Sequence, residues 1–162
     1  MGIKYFFQVF GSSAIKQTDK DFKGKRIGID VSYDIYRASL GMKNINGLTD
    51  SNGNPTLLLC VLLNNVANYK KKCAGVCYVF DNPGPNLLKA EENKKRRDAK
   101  KKASDEMKVT KDEDRKSSLK KRKFGITHKM INDVKKLLSL LGIPWVVAPD
   151  GYEAEHLASR MM

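Results

Sequence analysis

The sequence has few cysteines and no long hydrophobic run, and each shortage excludes a class of protein. The three cysteines are an odd number without a C-x-x-C pair, so neither a disulfide scaffold nor a zinc ribbon is expected. The longest apolar run, residues 57–63, is far shorter than the roughly 20 residues of a membrane span. The first residues lack the successive basic, apolar and small-residue regions of a signal peptide. We therefore expect an intracellular, reducing compartment and no membrane partner.

Acidic residues are scarce relative to basic ones. The 162 residues include 31 Lys or Arg and 18 Asp or Glu, which gives a net charge of +13 at pH 7. Such an excess favours a polyanionic partner, nucleic acid before an anionic membrane or an acidic protein. The basic runs are also typical of nuclear localisation signals, although phosphate binding explains them equally well.

Much of this charge lies in residues 86–123, which contain 16 basic and eight acidic residues. The apolar residues there are few and follow no heptad, so we expect the segment to stay outside the core. Its Ala, Lys, Arg and Glu content favours helix. Two compatible interpretations remain open: a solvated, partly disordered insertion, or a cationic element that becomes ordered on nucleic acid.

The flanks of this insertion have the pattern of an α/β domain. Apolar runs typical of buried strands lie at 26–31, 76–81 and 143–147. Helical patterns lie at 33–42, 56–72, 127–141 and 153–162, and Gly142 is well placed to end the third of them. Apolar strands that alternate with helices predict an open, mainly parallel sheet flanked by helices. We expect one domain over 1–162, with 86–123 as a basic insertion.

Acidic residues follow each predicted strand. Asp30 and Asp81 stand at the ends of the first two strands, and Glu153 and Glu155 follow the third after a short loop. In a parallel sheet the carboxyl ends of the strands form the ligand-binding edge. Each acid alone is also explained by helix capping or by the helix dipole. Together they favour a divalent cation, Mg²⁺ or Mn²⁺, and a two-metal site for phosphodiester cleavage.

Short motifs in a fixed order resemble one known family. They are MGIK at 1–4, IDVS at 29–32 with Ile35 and Tyr36, YVFD at 78–81, LSLLGIP at 138–144 and EAE at 153–155. Over essentially its whole length the chain resembles the N-terminal region of the flap endonuclease and xeroderma-pigmentosum-G-type family of structure-specific 5′ nucleases. The resemblance implies a PIN-like (Rossmann-like) fold in which 86–123 forms a helical arch. It also implies Mg²⁺-dependent cleavage of branched or flap DNA in replication or repair.

The resemblance also implies roles for individual residues. Metal-site roles fall on Asp30, Asp81, Glu153 and Glu155. Catalytic roles at the scissile phosphate fall on Lys89 and Arg96, with Lys94, Lys95 and Arg97 as rivals for these positions. DNA-binding roles fall on Gly2, Tyr36, Lys94, Lys95, Arg97, Lys100 and Lys101. For Tyr36, the expected role is stacking on a base, and ordinary helix packing is the alternative.

The chain departs from the family pattern in several places. The family has a second acidic cluster, a helix-hairpin-helix region and a sliding-clamp-binding tail, none of which occurs before Met162. Two extra residues precede Glu153, and Asp34 stands where a small neutral residue is usual. We therefore keep two hypotheses. The first is a flap endonuclease whose site is completed by a C-terminal half or a second chain. The alternative is a non-catalytic nucleic-acid-binding or structural protein on a degenerate nuclease fold.

Overall fold

The computed structural model describes residues 5–40, 48–53, 56–84 and 90–161. Within these ranges the chain forms three strands and seven α-helices. Their order is α1 (Phe6–Phe10), β1 (Arg26–Asp30), α2 (Val31–Leu40), α3 (Leu57–Lys72), β2 (Gly75–Phe80), α4 (Ala90–Val109), α5 (Glu113–Lys123), α6 (His128–Leu140), β3 (Trp145–Val147) and α7 (Ala154–Arg160).

The three strands form one parallel sheet in the order β1-β2-β3, which confirms the predicted fold class. Arg26 pairs with Gly75 and Asp30 with Val79, so β1 and β2 end almost level. Phe80 pairs with Val147 at the same edge of the sheet. This register brings the residues that follow all three strands to one side of the molecule.

The predicted strands differ from the observed ones by one or two residues at their ends. β1 ends at Asp30 because Val31 already begins α2, and the Asp30 carboxylate accepts the Ser32 amide at 2.8 Å. β3 begins at Trp145 rather than at residue 143. Pro144 has no amide hydrogen to give a strand ladder, although its carbonyl accepts the Tyr78 amide at 3.0 Å.

Side chains alternate across β2 and build two apolar layers. Tyr78 and Phe80 point into the main core, which α2, α3 and α6 complete with Ile35, Leu62 and Leu138. Val79 faces the opposite side, where it packs on Ala154 and Ala158 of α7. The sheet is thus covered on both faces, as parallel sheets require.

The basic insertion forms a helical hairpin of α4 and α5. Asp112 begins α5 by accepting the amides of Asp114 and Arg115 at 2.9 and 3.3 Å. The described part of the segment contributes no buried residue to the two apolar layers of the sheet, although Ala103 and Leu119 are themselves fully buried. α4 has 20 residues but is strongly charged, and among the described helices none is both long and apolar enough to cross a membrane.

Candidate active site at the carboxyl edge of the sheet

Asp30 ends β1 and is half-buried at the start of α2. Its Oδ1 accepts the amides of Ser32 at 2.8 Å and Tyr33 at 3.4 Å, so it does cap the helix. Burial raises the pKa of Asp30, and the negative charges of Asp81 and Glu155 raise it further against the effect of those amides. Asp30 therefore lies within electrostatic reach of two other predicted site acids.

Asp81 directly follows β2, and its carboxylate accepts hydrogen bonds from residues of α2 and α7. Its Oδ2 accepts the Ser32 hydroxyl at 3.0 Å, and its Oδ1 accepts the Ala154 amide at 3.0 Å. The first contact holds the carboxylate beside Asp30. The second caps α7 from across the sheet, at the helix end where a negative charge is favourable. Each oxygen keeps a further lone pair for another partner.

The glutamate pair stands at the start of α7. Glu153 occupies the N-cap position, and Glu155 is exposed in the first turn. α7 lies close to β1 because Gly28 has no side chain. A Cβ at Gly28 would lie 3.1 Å from both the Cα and the Cβ of Ala158. The small residues at this crossing thus hold the glutamates near the ends of the strands.

The donor chemistry of this edge fits a hard divalent cation. The acidic groups are all carboxylates, which suit Mg²⁺ or Mn²⁺ better than zinc, and a cation would offset the repulsion that acts on Asp30. In the described part of the chain, however, no three Asp, Glu, His or Cys side chains are grouped closely enough to hold a metal ion as they stand. The edge has suitable ligands but no assembled three-ligand site.

A cationic cavity of about 520 Å³ lies between α2 and the hairpin. Its lining includes Tyr36, Arg96, Arg97 and Lys100, all of which the sequence analysis assigned to DNA or phosphate contact. Arg96 also forms an ion pair with Glu92, with 2.8 Å between Nη2 and Oε1. The cavity thus combines an aromatic ring with several guanidinium and ammonium groups.

Other predicted DNA-binding residues lie elsewhere. Lys94, Lys95 and Lys101 are exposed on α4 outside the lining of this cavity, and Lys95 forms an ion pair with Glu91 at 2.8 Å. Gly2 and Lys89 lie outside the described residues, so their predicted roles stay predictions.

Sequence reasoning missed three contributors to this region. Ser32 links to Asp81 across two strands, which the IDVS motif did not reveal. Asn93 and Arg122 line the cationic cavity. Arg122 belongs to the basic run at 120–123, but only the folding back of α5 on α4 shows which member of that run faces Tyr36.

Comparison with known proteins gives one family and a consistent fold. Residues 1–103 match the family described as the XPG N-terminal domain. The chain is 33% identical over 162 residues to flap endonuclease 1 of Naegleria gruberi, covering 96% of this chain and 42% of that protein. It is 31% identical to flap endonuclease 1 of Pyrobaculum calidifontis, covering 99% and 48%.

A solved structure described as the catalytic core of Rad2 in complex with DNA substrate has the same fold. The TM-score is 0.62 at 21% identity, and the match covers 99% of this chain and 41% of that one. The chain thus spans less than half the length of the relatives and structures that it resembles.

Proposed function

The chain belongs to the XPG N-terminal domain family, and from this premise we propose that it supplies the N-terminal region of a structure-specific 5′ flap endonuclease. The proposed reaction is hydrolysis of a phosphodiester bond in branched or flap DNA during replication or repair, which places the protein in the nucleus or at another site of DNA replication. One observation carries the proposal: Asp30 and Asp81 stand at the ends of neighbouring parallel strands, and Ser32 donates a hydrogen bond to each of their carboxylates. The same chain has a cationic cavity.

In this function, Asp30, Asp81, Glu153 and Glu155 hold Mg²⁺ or Mn²⁺, directly or through water. Bound cations would activate the attacking water and stabilise the charge of the leaving oxygen. Ser32 and the Ala154 amide orient Asp81 for this task by their two hydrogen bonds to its carboxylate. The chain's own contribution is therefore to fix the carboxylates at one edge before the DNA arrives.

The cationic cavity accepts the DNA backbone. Arg96, together with Lys89, holds and polarises the scissile phosphate, and Arg97 and Lys100 neutralise its neighbours. Tyr36 offers its ring to a nearby base, a contact worth about 1–3 kcal/mol. The exposed lysines Lys94, Lys95 and Lys101 add to the positive field along α4 and favour the approach of DNA.

A second candidate function is binding without catalysis. The observation that favours it is the lack of an assembled three-ligand metal group among the described residues. In this case the chain is a degenerate nuclease fold that binds branched DNA through the hairpin, and adding a C-terminal half does not produce cleavage.

The first test is cleavage of an end-labelled 5′-flap duplex by the chain and its Asp81→Asn variant, each in Mg²⁺ and in Ca²⁺. Asp19→Asn is the matched control, because Asp19 is an exposed acid that precedes β1 and pairs with Lys72 at 2.9 Å. With a C-terminal half supplied in the assay, we expect cutting near the junction in Mg²⁺, its loss by about 100-fold or more in Asp81→Asn, and normal cutting by Asp19→Asn.

Two other outcomes decide between the candidates. Salt-sensitive DNA binding without cutting by the unmodified chain, even with the C-terminal half supplied, would support the binding function. Undiminished cutting by Asp81→Asn would reject the assigned metal site. Far-ultraviolet circular dichroism of each variant checks that the loss of charge at Asp81 has not unfolded α7.

A further inference from the structure

Phe124 joins the hairpin to the rest of the protein. It occupies the C-cap position of α5, where its amide donates to the carbonyls of Lys120 and Lys121 at 3.1 and 3.3 Å. Its ring lies 5.6 Å from the ring of Tyr36 on α2, centre to centre, at an angle of 78°. This edge-to-face geometry is the favourable arrangement of an aromatic pair.

Phe124 has a second environment besides the Tyr36 ring. It lines an apolar cavity of about 270 Å³ together with Leu57 and Leu58 of α3 and Met130 of α6. Tyr36, by contrast, lines the cationic cavity with Arg122, which stands two residues before Phe124. Phe124 therefore lies between this apolar cavity and Tyr36, an aromatic residue of the described lining of the cationic cavity.

The hairpin makes its main described contacts within itself, α4 against α5. The Tyr36–Phe124 ring contact therefore ties the exit of α5 to α2, outside the hairpin's own interface. Tyr36 remains partly exposed, at 37% of its surface. In an edge-to-face pair, Phe124 covers at most one face of the Tyr36 ring.

We infer that Phe124 is a positioning residue for Tyr36: it sets the orientation of the ring and couples base stacking to the placement of the basic hairpin. This inference rests on the proposed function, because it assumes that Tyr36 stacks on a base of the bound DNA. Phe124 itself touches no DNA in this scheme. Its effect reaches the DNA through its contact with Tyr36.

A double-mutant cycle on the full chain tests this coupling. The variants are Phe124→Leu, Tyr36→Leu and the double variant, with Phe124→Tyr as the conservative rescue and Leu140→Ala as a control for loss of an exposed apolar side chain. The probe is a 5′-flap duplex that carries 2-aminopurine beside the junction. It is titrated in Ca²⁺ for affinity and for the fluorescence change that reports stacking.

We expect Phe124→Leu to weaken flap binding by about threefold to tenfold, the range that corresponds to an aromatic pair. It should also reduce the 2-aminopurine signal, whereas Phe124→Tyr and Leu140→Ala should retain both. In the Tyr36→Leu background, Phe124→Leu should have no further effect. In the DNA-free protein, NMR should show that the Tyr36 ring protons lose a ring-current shift in Phe124→Leu, while the rest of the spectrum and the melting temperature show that the fold is kept.

The outcomes separate failure of this inference from failure of the proposed function. Loss of affinity and signal in Tyr36→Leu with normal behaviour of Phe124→Leu would overturn the inference alone. Equal effects of Phe124→Leu with and without Tyr36 would also overturn it, because Phe124 would then act independently. Normal binding and a normal 2-aminopurine signal in Tyr36→Leu would mean that Tyr36 does not stack on a base. This result would also overturn the inference.

Discussion

At the scale of single residues, Asp34 is the least expected feature of the chain, because a charged residue type occupies a fully buried position. The protein compensates with hydrogen bonds from several elements. Asn65 Nδ2 of α3 donates to one carboxylate oxygen at 2.9 Å, and the Tyr78 hydroxyl of β2 donates to the other at 3.2 Å. Burial and the neighbouring Asp34 raise the pKa of Tyr78, so its hydroxyl remains a donor at neutral pH.

The Asp34 site predicts a specific pH dependence of stability. Burial raises the pKa of Asp34, against the effects of Tyr78, Arg37, Asn65 and Tyr69. The folded protein therefore holds this proton more tightly than the unfolded chain. The resulting stability is fully present below the unfolded pKa and is lost as the pH rises through the folded value.

We expect the free energy of unfolding to fall from pH 4 towards pH 7 more steeply in the unmodified protein than in Asp34→Asn. The difference in slope is at most about 1.4 kcal/mol per pH unit. Urea unfolding at several pH values measures it, and Asp133→Asn, which removes a carboxylate from the surface of α6, is the control. Equal slopes of the unfolding free energy against pH for the protein and for Asp34→Asn would contradict a raised pKa of Asp34 in the folded state.

At the scale of elements, the hairpin is held together by a small interface of its own. Leu119 of α5 and Ala103 of α4 are buried there, and Arg115 Nε donates to Glu106 Oε1 at 2.7 Å. The ion pair is exposed, so it contributes little to stability. Burial of Leu119 is therefore the main apolar contribution to the pairing of α4 with α5.

Leu119→Ala should open the hairpin without unfolding the sheet. The expected loss is about 2–5 kcal/mol of local stability, since a cavity replaces a fully buried side chain. Hydrogen exchange should show lost protection across 90–123 and unchanged protection in β2 and α6. Val109→Ala, at an exposed position of the same hairpin, should have no effect beyond about 0.5 kcal/mol. Global unfolding in Leu119→Ala would mean that the hairpin is part of the main core.

Both ends of α6 were predictable because their signals are local. Gly142 ends α6 at a φ of +64°, with the Gly142 amide bonded to Ser139 and the Ile143 amide to Leu138. Thr127 begins the same helix by accepting the Met130 amide at 3.2 Å. The burial of Leu119 could not be predicted, because it depends on how α5 folds back on α4, and no periodic pattern in that segment marks the contact.

At the scale of the whole molecule, the candidate site was predictable only in part. The rule for parallel sheets placed Asp30 and Asp81 at one edge, where Ser32 now links them. The expectation that all four acids form one site assumed that the positions of the strand ends alone determine the distances between the carboxylates. Those distances also depend on side-chain hydrogen bonds, and Asp81 uses one of its oxygens to cap α7.

The basic residues of the cationic cavity predict how DNA binding depends on salt concentration. Each cation that neutralises a phosphate adds about 0.9 to the slope of log affinity against log salt for duplex DNA, and about 0.7 for single strands. Arg97 and Arg122 line the same cavity from different helices. Replacing both with Gln should therefore lower the magnitude of the slope by about 1.4–1.8.

Lys72→Gln is the matched control, because Lys72 ends α3 near the opposite edge of the sheet and pairs with Asp19. Its slope should equal that of the unmodified protein. Fluorescence anisotropy of a labelled 5′ flap at five or more salt concentrations gives all three slopes. An unchanged slope in the Arg97→Gln, Arg122→Gln variant would mean that the cavity does not meet the DNA backbone. DNA binding would then have to be assigned to the exposed lysines of α4, since their charge does not depend on the cavity.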